Sequence, residues 1–258
     1  MLALDRGRGM GNVTAALRDG FSTSGTSGTG LGAVSRLADA FDVHSAPGVG
    51  TIVLARVGRG DSREPDARCG VVCVAKPGET VTGDGWAVLP GRERTVVMVV
   101  DGLGHGPGAA EAAEASLRIF AQAATSSPGD VLERVHGGLR GTRGAAAAVA
   151  LIDRARGIVR FAGIGNIAGC LMCNGTTRSM VSQHGTAGHD LRRIHEFDYP
   201  LPRGGFLVMN SDGLLSSWDV KRYPGLLRHH PAVIAGALYR DFARGRDDAT
   251  VVVLEEPK

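Results

Sequence analysis

Four aspartates stand where strongly apolar runs begin or end: Asp84 in TGDGW, Asp101 in VVMVVDGLGHG, Asp212 in FLVMNSDGL and Asp247 in GRDDATVVV, with Asp248 beside the last. Any one Asp-Gly pair reads most simply as a turn. Four in this order, each tied to a predicted strand, ask for more. If two sheets stack, the strands ending near 101 and 212 bring both carboxylates to one edge. Carboxylates gathered there repel one another unless a cation sits among them. Hard oxygen donors suit Mg²⁺ or Mn²⁺, not zinc. Glycine beside Asp101 leaves room for bound water and lets a backbone carbonyl turn inward.

The elements that must position these residues alternate in blocks. CGVVCVA, GWAVL and TVVMVVD read as valine-rich strands bounded by Gly or Pro. PGAAEAAEASLRIFAQAA and PGDVLERVHGGLRG read as helices, each opening on proline. AAAAVALID, GIVRFAGIG and IAGCLMC then read as an antiparallel meander. GGFLVMNSDGL gives a further strand, PAVIAGALYRDFA a helix and ATVVVLEE a last strand. Regular β-α-β alternation is missing, which argues against a doubly wound parallel sheet. The fold class is α+β, with two mainly antiparallel sheets packed together and helices outside. The polar run 58–67 reads as a linker between a piece spanning 1–57 and a domain spanning 68–258.

The set GD…DGLGHG…SDGL…DDATVVV, together with AGIGNIAG, resembles the metal-dependent type 2C (PPM) serine/threonine phosphatases, and within them the SpoIIE-like bacterial branch. The similarity runs across nearly all of 68–255 and implies a four-layer α-β-β-α sandwich. It implies that Asp84 and Asp101 hold a binuclear Mn²⁺/Mg²⁺ centre, with Asp101 bridging and the Gly102 carbonyl completing one ion. Asp212 and Asp247 would ligate from the other side, with Asp248 ranked below Asp247. Two such ions lower the pKa of a shared water and neutralise phosphoryl oxygens. His105 lies two residues further from Asp-Gly than the histidine of eukaryotic-type members. It either donates a proton to the leaving oxygen or only shapes the loop. His184 and His189 read as rim or surface-loop residues. An arginine phosphate clamp of the eukaryotic kind is not evident.

The piece before the linker carries a second pair of motifs, ALDRGRGM (3–10) and GTSGTGLGAVSRLADAF (25–41). With PGVGTIVLARV they resemble the second half of a GHKL-type ATP-binding domain, in particular the small serine kinases of bacterial partner-switching systems. The resemblance implies that Asp5 meets the adenine amino group and that Gly28, Gly30 and Gly32 lie near the phosphates. That fold normally begins with strands and a helix carrying a Glu/Asn metal motif, which are missing ahead of these residues. A piece of 57 residues can hardly bury a whole ATP site, so ATP is a doubtful ligand. A kinase remnant joined to a phosphatase implies a shared substrate: a phosphoserine or phosphothreonine on a STAS-type anti-anti-sigma protein, in sigma-factor or stress control.

Bulk properties narrow the alternatives. The chain has 258 residues, 43% hydrophobic and 21% charged, with a formal charge of +3, which suits a globular protein. Only 5% of residues are aromatic, so stacking platforms for nucleic acid are not expected. No apolar run reaches membrane-spanning length and no signal-peptide pattern opens the chain, which reads as cytoplasmic. LRRIHEF and VKRY are the local basic clusters, read as solvated surface or as a rim for a phosphorylated partner. Cys69, Cys73, Cys170 and Cys173 lie in strand-like text and read as buried thiols; the other reading is a structural zinc site. Two rival functions remain: a catalytically silent module sensing a phosphoprotein or nucleotide, and a residual ATP-dependent serine kinase. Retention of all four aspartates speaks against the first.

Overall fold

The computed structural model describes residues 1–22, 25, 27–58, 68–123, 125–191 and 193–256. The elements run β1 (Leu2–Leu4), α1 (Val13–Ala16), α2 (Gly30–Leu37), β2 (Ala40–Ala46), β3 (Gly50–Arg56), β4 (Arg68–Val74), β5 (Asp84–Leu89), β6 (Arg94–Gly102), α3 (Pro107–Gln122), α4 (Pro128–Gly138), β7 (Ala145–Asp153), β8 (Ile158–Ile164), β9 (Ala168–Cys173), β10 (Thr176–Ser179), β11 (Phe197–Pro200), β12 (Phe206–Asn210), α5 (Pro231–Phe242) and β13 (Ala249–Glu255). Two five-stranded sheets result, ordered β11-β8-β7-β6-β5 and β10-β9-β12-β13-β4, together with a three-stranded sheet ordered β1-β3-β2. Every pairing within them is antiparallel.

The unbroken apolar run of β6 follows from burial on both faces. Successive side chains alternate across a strand. Val97 and Val99 enter the core between the two large sheets with Leu207, Met209 and Val252. Val96, Met98 and Val100 face the other way, onto Phe120 of α3 and Leu132 of α4. Strand β13 divides likewise, with Val252 and Leu254 between the sheets and Val251 and Val253 against α5. The four layers are therefore α3 and α4, a sheet, a sheet and α5. Each fully buried valine or leucine adds about 1.5–3 kcal/mol of transfer free energy. Helix α4 starts where the Ser127 hydroxyl accepts the Asp130 N–H at 3.2 Å, one residue before Pro128.

Helix α5 is buried nearly all round, as its sequence PAVIAGALYRDF suggests. One side covers β4 and β13, and the small N-terminal sheet lies on another, placing Ile52 and Leu54 in the same apolar cluster. A Cβ on Gly236 would come within 2.9–3.3 Å of the side chains of Leu4, Leu2 and Ile52. Arg240 donates from Nη1 to the Asp5 carbonyl at 3.0 Å, and Asp42 accepts from the His230 N–H at 2.6 Å. Residues 59–67, most of the expected linker, lie outside the described residues.

One expectation changes, and one alternative reading falls. The three-strand meander stops after two: β8 pairs with β7, but β9 joins the second sheet beside β12. The turn over 165–167, with Gly165 at φ +81°, carries the chain from one sheet to the other, where β9 sets Leu171 between the sheets and Cys170 toward α5. The zinc reading fails on topology. Cys69 and Cys73 sit on β4 and Cys170 and Cys173 on β9, with β12 and β13 between them, roughly 14 Å at about 4.8 Å per strand. Burial pushes Cys69 up to about 11 and Cys170 up to about 12, as for inert core thiols.

Candidate metal centre

The register of β5 on β6 sets Asp84 directly across from Asp101. Asp212 follows the end of β12 and Asp247 precedes β13; since Asn210 pairs with Val251, both belong to one end of that pair. The stacked sheets bring these ends together around a cavity of about 210 Å³, whose lining includes Lys76, Asp101, His105, Asn166, Asp212 and Asp247. Asp84 is only 4% exposed and lies beneath this lining. Among the described residues no three His, Cys, Asp or Glu side chains are already drawn into a closed metal-holding group. The carboxylates enclose a basin, which suits Mg²⁺ or Mn²⁺, ions that keep several waters and take few protein ligands.

The electrostatics favour a cation there. Burial first, then the charges of Asp84, Asp212, Asp247 and Asp248, push Asp101 up to about 8. Burial also drives Asp84 up to about 6, opposed by its hydrogen bond from Ser211. The Ser211 hydroxyl donates to Asp84 Oδ2 at 2.6 Å, while Asp84 Oδ1 is buried with no hydrogen-bond partner among the described residues. An orphaned carboxylate oxygen beside a second carboxylate is costly unless a cation occupies the space. Asn166 donates to Asp212 Oδ2 at 2.8 Å and holds it at the rim. The residues present therefore fit a divalent metal pair.

The structure separates Asp247 from its neighbour. Asp248 is 3% exposed, and its two oxygens accept the Lys76 N–H at 2.8 Å and the Gly83 N–H at 2.9 Å. It ties down the segment leading to Asp84, while Asp247 faces the cavity. Gly102 donates its N–H to the Gly83 carbonyl at 2.9 Å, and a Cβ there would stand 2.1 Å from the Ala109 carbonyl oxygen. That glycine lets α3 approach the strand end. His105 places Nδ1 2.5 Å from Glu79 Oε1. Arg143 donates to the His105 carbonyl at 3.4 Å and covers Gly108, where a Cβ would meet its guanidinium. His189 contacts the Arg143 carbonyl at 3.0 Å through Nε2, and His184 is exposed.

Lys76, Glu79, Asn166 and Ser211 are the residues that motif reading passed over. Asn166 lies inside AGIGNIAG and Ser211 inside MNSDGL, so a polar residue next to a strand end was the available signal for both. Lys76 and Glu79 carried none, because only folding brings KPGE to the carboxylates.

The N-terminal candidates are brought together only in part. A cavity of about 530 Å³ is lined by residues of 9–31 including Gly28 and Gly30, with no charged side chain in its lining among the described residues. Gly28 has φ +66°, and a Cβ would strike the Phe21 backbone. Gly32 is buried in α2 and outside that lining, and Asp5 turns its Oδ1 onto the Gly7 N–H at 2.7 Å.

Comparison with known proteins places this geometry. The family model for Stage II sporulation protein E (SpoIIE) matches residues 91–256, well over half of the chain. The chain belongs to the SpoIIE family. The SpoIIE domain here resembles a structure described with the bacterial stressosome, at 25% identity and TM-score 0.69, covering 73% of this chain and 99% of that one. It also resembles RsbX in complex with magnesium, at 20% identity and TM-score 0.64, over 75% and 97% of the two chains. The PP2C phosphatase domain of SpoIIE from Bacillus subtilis matches at 17% identity and TM-score 0.61, over 84% and 70%. By family the chain is of the SpoIIE kind, and its fold is that of the PP2C phosphatase domains. A 55-residue stretch is also 44% identical to the serine/threonine-protein kinase RsbT of Bacillus subtilis (strain 168), covering 21% of this chain and 41% of that kinase.

Proposed function

We propose that this SpoIIE-family chain is a Mn²⁺/Mg²⁺-dependent phosphatase acting on phosphoserine or phosphothreonine of a STAS-type regulatory protein. The observation that carries the metal dependence is buried Asp84 facing half-buried Asp101, with an orphaned oxygen on Asp84 and a proton affinity raised on both by burial and by neighbouring carboxylates. Asp84, Asp101, Asp212, Asp247 and the Gly102 carbonyl would hold the ions. When bound, such ions supply charge neutralisation for phosphoryl oxygens and a nucleophile at neutral pH.

The chain's own residues then have separate tasks. Asp248 fixes the approach to Asp84 through two backbone N–H groups. Asn166 orients Asp212, and Ser211 orients Asp84 while accepting the Thr250 N–H at 3.0 Å, so that one hydroxyl ties Asp84 of one sheet to the backbone of the other. Lys76 lines the cavity with no carboxylate paired to it among the described residues, and is placed to meet a phosphoryl oxygen. His105 lines the same cavity and is placed to protonate the departing serine oxygen.

The partner is supported by the kinship with RsbT, RsbX and a stressosome-associated structure. No helix of the described residues is long and apolar enough to cross a membrane, which accords with a cytoplasmic regulatory role. Hydrolysis of a serine-phosphorylated STAS protein in Mn²⁺, Mg²⁺ or EDTA tests the proposal. Metal-dependent phosphate release is expected; none from folded protein would favour a silent sensing module. The glycine-lined N-terminal cavity favours a second reading, nucleotide binding, with Gly28 and Gly30 beside phosphates. ATP titration calorimetry decides that point, and a flat trace rejects it.

A further inference from the structure

The segment between β4 and β5 does more than deliver Asp84. Lys76-Pro77-Gly78-Glu79 closes a tight turn: the Glu79 N–H donates to the Lys76 carbonyl at 3.0 Å and Gly78 takes φ +94°. Proline second and a left-handed glycine third define a type II turn. Its start is pinned by Asp248, which accepts the Lys76 N–H. The turn therefore aims the Glu79 carboxylate from a fixed base, and it ends 2.5 Å from His105 Nδ1.

The loop carrying His105 is shaped to receive that carboxylate. Gly106 has φ +71°, and a Cβ there would lie 2.8 Å from Glu79 Oε2. On the other flank Arg143 presses on Gly104 and Gly108 and binds the His105 carbonyl. The glycines of DGLGHGPG thus admit a carboxylate on one side and a guanidinium on the other.

A carboxylate only accepts, so its contact with Nδ1 requires the proton to be on Nδ1. Nε2 is left as the reactive nitrogen, and among the described residues it has no hydrogen-bond partner. His105 lines the same cavity as Asp101, Asp212 and Asp247. We infer that Glu79 is a positioning residue that holds the His105 ring with Nε2 directed to the leaving oxygen of the substrate. This rests on the phosphatase reading above and deepens it.

The proton bookkeeping is closed. Water oxygen bonds to phosphorus, the bond from phosphorus to the substrate oxygen breaks, and its electron pair goes to that oxygen. The imidazolium gives its Nε2 proton to the departing oxygen and keeps its Nδ1 proton, hydrogen-bonded to Glu79. Product phosphate retains one proton of the water; the other returns to the imidazole through solvent.

The help of a general acid grows as the leaving group becomes more basic. The test compares p-nitrophenyl phosphate, whose leaving group departs as a stable anion, with phenyl phosphate, whose leaving group resembles the tyrosine phenol of pKa about 10. Full-length wild type, Glu79→Ala, Glu79→Met, Glu79→Gln, His105→Asn and the double variant Glu79→Ala/His105→Asn are assayed in Mn²⁺. The ratio of phenyl to nitrophenyl turnover is expected to fall about tenfold or more in Glu79→Ala, Glu79→Met and His105→Asn. Glu79→Gln, which keeps an acceptor for Nδ1–H, should recover most of it. The double variant should fall no further than His105→Asn, because Glu79 acts through the histidine. A ratio unchanged without the carboxylate, or losses that multiply in the double variant, would overturn the inference and leave Glu79 as a loop clamp. Wild type with no metal-dependent turnover of either ester would instead remove the phosphatase reading itself.

Discussion

The two cavities singled out by the glycine-rich motifs differ in kind. The N-terminal one is the larger, about 530 Å³ against about 210 Å³, yet among the described residues no charged side chain lines it. The smaller one gathers three carboxylates, an ammonium, a carboxamide and an imidazole, with a fourth carboxylate buried beneath. Volume records where chains fail to meet; chemistry needs polar groups held against their own repulsion. Of the two, the small cavity is where the fold has accepted that cost, by setting buried Asp84 across from half-buried Asp101.

The contrast can be broken most sharply at Asp101. Asp101→Asn should reduce phosphate ester hydrolysis by about three orders of magnitude, the loss of several kcal/mol of charge stabilisation, with the far-ultraviolet dichroism unchanged. Turnover near wild type would detach the activity from this cavity.

A pH effect comes next. Burial and neighbouring charge raise Asp101 from 3.8 to about 8. Native protein then keeps a proton that the unfolded chain releases, so this contribution is complete below pH 4 and is lost as pH rises toward 8. Melting temperatures in EDTA should decline over that window, and Mn²⁺ should restore most at its alkaline end, where binding displaces fewer protons. A melting temperature rising with pH in EDTA would contradict the assigned burial.

Asp248→Ala separates holding a metal from holding the loop. It strands one buried and one part-buried N–H group, costing about 2–5 kcal/mol of stability, and calorimetric melting should register that in EDTA as well as in Mn²⁺. A loss confined to metal-loaded protein would make Asp248 a ligand.

The smaller expected effect tests whether the regions are one body. Ile52→Ala, in the core shared with α5, should cost about 2–4 kcal/mol and lower one cooperative transition for the whole chain. Two separate transitions, with the phosphatase part unmoved, would show the N-terminal sheet to be an independent unit.

Much of this was legible beforehand. TVVMVVD and ATVVVLEE announce strands buried on both faces, and the helices open on prolines that the structure places at their first turns. The aspartates could be read because each ends or begins such a strand. What escaped depends on long-range placement. No local period separates Asp247 from Asp248; the distinction lies in which carboxylate meets the N–H groups of Lys76 and Gly83. Strand β9 looked like a third meander strand because alternation is identical in either sheet. Glu79 was silent because its partner His105 is 26 residues away.

Titration of metal-free protein with Mn²⁺ in a calorimeter, beside Asp101→Asn, tests the central claim most directly. Two ions per chain in the wild type, with binding weakened or lost in the variant, are expected. Absence of Mn²⁺ binding to folded wild type, or an isotherm identical in the variant, would contradict a metal centre at this edge.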